Sequence, residues 1–166
     1  MTDARVLIAG LGNIFAGDDG FGVEVARRLA LGELPASVRV VDFGIRSFDL
    51  ACALVDGYEA AILVDLTPRG GAPGTLYVID PELGTGEALR NTDGHGLPPT
   101  KVFALARALG GTLPRMRIIG CEPLELGESG DDDVTVGLSE PVLAAVIPAM
   151  DLALSLAAEI TRPADA

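Results

Sequence analysis

Short apolar runs alternate along the chain with longer segments in which apolar residues recur every three to four positions, the order expected of a layered α/β domain. Five runs predict strands: Arg5–Gly10, Arg39–Asp42, Ala60–Asp65, Thr75–Asp80 and Arg115–Gly120. Val6-Leu7-Ile8, Ala61-Ile62-Leu63-Val64 and Arg117-Ile118-Ile119 are nearly continuous aliphatic stretches, as strands covered on both faces of a parallel sheet are. Helical spacing predicts Asp19–Leu31, with Val23, Ala26 and Ala30 on one face, and Arg46–Asp56, with Phe48, Ala51, Cys52 and Val55. A third helix follows Pro98-Pro99 over Thr100–Leu109. The fourth, Ser139–Ile160, has Ser139 as N-cap, Pro141 in its first turn and an apolar stripe of Leu143, Ile147, Met150 and Leu154. Pro148 lies inside that stripe and predicts a kink or a break.

The nine residues between Asp65 and Thr75 are too few for a parallel crossover, so the fourth strand should run antiparallel to the third and make the sheet mixed. Segments Glu82–Pro99 and Glu122–Leu138 read as long loops, of a length usually tied to function. No internal repeat stands out. At 166 residues the chain is expected to be one domain, residues 1–166 with its core over 5–160, needing no disulfide or metal to fold.

Charge narrows the partners. Twenty-four acids against twelve bases give a net charge of −12, which repels phosphate backbones and anionic lipid, so neither nucleic acid nor a membrane surface is expected to bind. Hydrophobic residues make up 49% of the chain, yet the longest stretch without a charge, Val6–Gly17, is only twelve residues and holds three glycines. A span needs about 20. The first residues lack the pattern of an export signal, and Cys52 and Cys121 form no disulfide framework, so a cytoplasmic location is expected.

Candidate chemistry gathers where the strands end. Asp18 and Asp19 follow the first strand, Asp65 ends the third, and His95, the single histidine, sits in Asp93-Gly94-His95-Gly96 ahead of the third helix. If the first and third strands are parallel neighbours, Asp19 and Asp65 share the carboxyl edge of the sheet, where open α/β sheets bind ligands. Two carboxylates and an imidazole suit a borderline divalent ion such as nickel or zinc and leave positions open for substrate or water. Plainer readings stand beside this one. Asp18 or Asp19 can cap a helix, Asp65 can serve a turn, and His95 can be a solvated loop histidine. The run Glu122, Glu125, Glu128, Asp131, Asp132, Asp133 reads as a solvated loop, and Arg46 as a first-turn surface arginine.

Two rival chemistries are weaker. Gly10-Leu11-Gly12 after a strand, with Asp42 ending the next, resembles a dinucleotide fingerprint, but Phe15 stands at the third glycine position and Asp18-Asp19 would repel a pyrophosphate. Cys121 with His95 could make a nucleophile pair, yet no nearby base lowers the thiol's pKa, and a small buried residue is the better reading.

Several segments in register resemble one family. They are Gly10-Leu11-Gly12-Asn13 with Gly17-Asp18-Asp19-Gly20-Phe21-Gly22, Asp42-Phe43-Gly44, Val64-Asp65, Asp93-Gly94-His95, and Gly120-Cys121-Glu122-Pro123 with Gly137-Leu138-Ser139. Their order and spacing, from about residue 5 to 157, are similar to those of the nickel–iron hydrogenase maturation endopeptidases. The resemblance implies a three-layer α/β sandwich, a five-stranded mostly parallel mixed sheet with helices on both faces. It implies removal of a C-terminal extension from the precursor of the hydrogenase large subunit once nickel is inserted. By motif position Asp19, Asp65 and His95 would be the catalytic and metal-engaging residues, with nickel presented by the substrate and zinc or cadmium able to occupy the site in vitro. Asp42 would be a supporting or alternative acid–base group. Where many relatives have Asp-Gly-Gly-Thr, this chain has Asp42-Phe43-Gly44-Ile45, which bears on substrate contacts. A monomer is expected. The alternative function is a non-catalytic, metal-dependent docking or chaperone module for the same precursor.

Overall fold

In a computed structural model, residues 4–81, 99–124 and 134–163 are described. Five strands, β1 (Val6–Leu11), β2 (Val38–Gly44), β3 (Ala60–Leu66), β4 (Leu76–Ile79) and β5 (Arg115–Cys121), form a sheet in the order β2-β1-β3-β5-β4. β1 pairs in parallel with β2 and β3, and β3 with β5, while β4 joins the outer edge of β5 antiparallel. The short connection after Asp65 therefore reverses direction as expected, although the hydrogen-bonded neighbour of β4 is β5 rather than β3. Four helices complete the described elements: α1 (Phe21–Leu31), α2 (Ser47–Leu54), α3 (Pro99–Ala108) and α4 (Glu140–Thr161).

Strand alternation sorts the core into two halves. Val6 and Ile8 of β1 and Ile62 and Val64 of β3 face α1 and α4, packing on Phe21, Val25 and Val146. Leu7, Ala9, Ala61 and Leu63 face α2 and α3, packing on Leu50, Leu54, Phe103 and Ala106. Helices thus cover both faces, which is why Val6–Ala9 and Ala60–Val64 are apolar at every position.

The helices turn different faces inward from those that the largest apolar residues predict. In α2 the buried positions are Leu50, Ala51 and Leu54, while Phe48 and Cys52 are exposed. In α1 Ala30 is exposed and Leu29 is buried. In α4 Val142, Ala145, Val146, Ala149, Ala153 and Ala157 are buried, and Leu143 and Ile147 of the expected stripe point to solvent. Alanines let α4 lie close to its neighbours, and close approach outweighs side-chain size. α4 runs through Pro148 as one element. Pro148 and Ala144, whose carbonyl the proline frees, are both exposed, so water can take the lost bond. By length and composition α4 could cross a membrane, but its Val/Ala face closes one half of the core.

Candidate active site at the carboxyl edge of the sheet

The site begins with glycines that let α1 press onto the sheet. A Cβ on Gly22 would overlap the carbonyl oxygens of Val64 and Leu11, and one on Gly10 would overlap the Gly22 carbonyl and the Ala26 methyl. Gly12, at φ +129°, lies against the Asp19 carbonyl. The chain's own backbone lies against these glycines, which serve packing of α1 against β1 and β3.

That packing brings the turn between β1 and α1 over the end of β3. Asp18 and Asp19 lie in a 3-10 turn, Gly17–Gly20, ahead of α1, whose N-cap position is Gly20. Asp19 Oδ2 accepts the Asn13 N–H at 2.9 Å, and Asn13 Oδ1 accepts the Phe15 N–H at 2.9 Å, so the turn is tied across its mouth. Asp65, the next-to-last residue of β3, accepts the Leu66 N–H at 2.8 Å and is half-buried. Burial, then the charge of Asp19, push the Asp65 carboxyl up to about 7, against the Leu66 N–H, which lowers it. Two carboxylates that raise each other's cost of ionisation in a half-buried cleft form a donor set that fits a divalent cation. His95 lies outside the described residues, and among those residues no cluster of three ligand-type side chains occurs.

Asp18 does something else. It is buried, its Oδ1 accepts the Ser139 N–H at 2.7 Å, and its Oδ2 accepts the Leu124 N–H at 3.0 Å and the Ser139 hydroxyl at 2.9 Å. It pins the 3-10 turn to both ends of the segment between β5 and α4. Ser139 is the N-cap residue of α4 by position, but its hydroxyl is spent on Asp18.

Glu122 corrects the reading of its acidic run as uniformly solvated. It is buried, and its carboxylate accepts the N–H groups of Arg69 (2.8 Å) and Gly70 (3.0 Å) and the Tyr77 hydroxyl (2.8 Å). Burial opposes its charge, but these donors, joined by the Gly71 N–H, prevail and hold it below the usual carboxylate range. The loop leaving Asp65 is thereby clamped, with the Arg69 guanidinium over the Tyr77 ring at 5.4 Å. The partners lie 45 to 53 residues from Glu122, so only its Gly120-Cys121-Glu122-Pro123 setting at a strand end offered a sequence signal.

Cys121 and Arg46 have structural places. Burial, then the charges of Asp18 and Glu122, push the buried Cys121 thiol up to about 12, so it is no nucleophile at neutral pH. Arg46 donates to the carbonyls of Asp42 and Phe43, pairs with Asp49 at 3.3 Å and covers the Phe43 ring, tying β2 into α2. Asp42 pairs in register with Gly10 on β2, the edge strand away from β3 and Asp65.

Comparison with known proteins gives the same frame a family. The hydrogenase maturation protease family profile matches residues 23–156. The hydrogenase expression/formation protein HupD of Rhodobacter capsulatus is 36% identical over 128 residues, 76% of this chain and 60% of that protein. HoxM of Azotobacter vinelandii, likewise a hydrogenase expression/formation protein, is 35% identical over 96% of this chain and 75% of its own length. The hydrogenase maturating endopeptidase HybD from E. coli superposes with a TM-score of 0.78 at 25% identity, covering 95% of this chain and 94% of that one. With the profile spanning most of the chain and the sheet, helices and glycine-packed turn in place, the chain belongs to the hydrogenase maturation protease family.

Proposed function

We propose that this hydrogenase maturation protease removes the C-terminal extension of a nickel–iron hydrogenase large-subunit precursor, and that Asp19, Asp65 and His95 engage the nickel which that precursor carries. The observation that carries the reading is the convergence of Asp19 and Asp65 at the carboxyl edge, with Asp65 pushed up to about 7 by burial and by its partner. Two acids so placed gain from a cation what they lose by facing each other. A divalent ion at such a site supplies Lewis acidity toward a carbonyl. The chain's own part is orientation. The Asn13 N–H fixes Asp19, the Leu66 N–H fixes Asp65, and the Glu122 clamp holds the loop beyond Asp65. Two free cysteines are consistent with work in a reducing cytoplasm.

The test is cleavage of purified precursor in nickel-loaded and nickel-free forms. Cleavage of the loaded form alone is expected, and equal cleavage of both would remove metal recognition from the reading. Asp65→Ala and His95→Ala should each lower kcat/KM at least ~100-fold. A docking module would show binding of the precursor without cleavage by the wild-type chain.

A further inference from the structure

We propose that Val134–Val136 is a short edge strand onto which the precursor's tail adds in extended form, one strand spacing out from the Phe15–Gly17 segment that leads into the Asp19 turn; the inference rests on the endopeptidase reading above. Thr135 makes a parallel bridge with Ala16. Its N–H donates to the Phe15 carbonyl at 3.0 Å, and its carbonyl accepts the Gly17 N–H at 2.9 Å. Both polar groups of Thr135 are thus used on the side facing residues 15–17. Successive residues of a strand turn their backbone groups to opposite edges, so those of Val134 and Val136 face away from that bridge. Among the described residues neither makes a hydrogen bond. Two donors and two acceptors stand open in a row.

The surroundings suit an incoming chain rather than water alone. Val134 and Val136 are 65% and 75% exposed, and Phe15, whose carbonyl binds Thr135, is 56% exposed. An added strand would pair with the open groups and set alternate side chains on these apolar surfaces, the usual mode of peptide capture by a sheet edge. The edge is also fixed relative to the chemistry. Asp18, adjacent to Asp19, binds Leu124 and Ser139 on either side of residues 134–136, and Gly17 holds Thr135 directly.

The edge is too short to hold a second copy of this chain by itself, since isolated two-stranded pairings are marginal in water. A precursor tail is different. Its nickel, held at Asp19 and Asp65, would tether it, and two or three added hydrogen bonds then act at high effective concentration. Weak pairing is sufficient there, and it also allows the severed tail to leave.

The experiment measures KM and kcat on nickel-loaded precursor for the wild type, Val136→Pro and Val136→Ala. Proline deletes the N–H but keeps apolar bulk, and it also favours an extended residue before it, which Thr135 already is. Val136→Pro should raise KM about tenfold with kcat within twofold, and Val136→Ala should raise KM less than threefold. An unchanged KM in the proline variant overturns the strand. So does an alanine variant as impaired as the proline one, or a concentration-dependent dimer that Val136→Pro dissociates. Should the proline variant fail to fold, wild-type protein is given precursors whose ligated extensions carry one N-methyl group at successive positions. A tenfold rise in KM confined to one or two positions beside the scissile bond supports the strand, and uniform values overturn it. Absence of cleavage by the wild type would overturn the endopeptidase reading together with the inference; cleavage with unchanged ratios would overturn the edge alone.

Discussion

An aspartate at the end of a buried strand is a poor place for a charge, and Asp65 has a second acid beside it as well. Its carboxyl sits at about 7, raised by burial and by Asp19, against about 3.9 in an unfolded chain. An acid held higher in the folded state binds its proton more tightly there. It therefore favours folding at low pH, and that benefit is lost as pH rises from about 4 to about 7. Asparagine has the same shape, keeps an oxygen for the Leu66 N–H and cannot ionise. Asp65→Asn should accordingly raise Tm by about 5 °C at pH 8 in the metal-free protein, and the gain should shrink towards zero near pH 4. The same change should abolish cleavage. Thermal unfolding at a series of pH values checks this, and an equal Tm offset at pH 4 and pH 8 would show that Asp65 ionises without cost. On the proposed reading, stability is given up for a site that needs charge.

Elements meet at this edge because the first turn of α1 has a glycine where it comes closest to β1 and β3. Gly22 lies against two backbone oxygens, from Val64 and Leu11, and backbone cannot rotate aside. Gly22→Ala should lift the start of α1 and with it the Gly17–Gly20 turn, costing about 3 kcal/mol of stability in urea unfolding and most of the activity, because Asp19 moves away from Asp65. A loss below about 1 kcal/mol would mean the helix shifts freely. The same elements show what could be read in advance. β1, β3 and β5 were legible as aliphatic runs, and the nine-residue return after Asp65 disclosed the antiparallel β4. Two parallel neighbours ending in acids also placed Asp19 and Asp65 on one edge. Helix faces were harder to read: Phe48 and Ile147 attract attention by size, yet Ala51 and Ala149 make the contacts, since close approach depends on smallness. Asp18 and Glu122 were least legible. A buried carboxylate differs from a surface one only in its donors, and those of Glu122 and Asp18 lie 45 to 121 residues away.

Across the whole molecule, twenty-four acids face twelve bases, and the resulting −12 acts on the fold as well as on its partners. Among the described residues the ion pairs are Arg5–Glu59, Arg28–Glu24, Arg46–Asp49 and Arg117–Asp80. The first and third are largely exposed, where water and salt screen the attraction, so they add little to stability. Added salt weakens these attractions and the general repulsion together, so the sign of its effect tells which is larger. The excess of acids leaves many carboxylates with no cation to meet, and their mutual repulsion opposes the compact state. Raising sodium chloride from 20 mM to 0.5 M shortens the screening length from about 20 Å to about 4 Å, below the spacing of most surface charges. Tm should therefore climb by about 3–5 °C over that range at pH 8, and climb less at pH 5, where part of the acid excess is neutralised. A Tm that falls with salt would mean the few pairs outweigh the net charge, and the acidic surface would then have to be counted as neutral to folding.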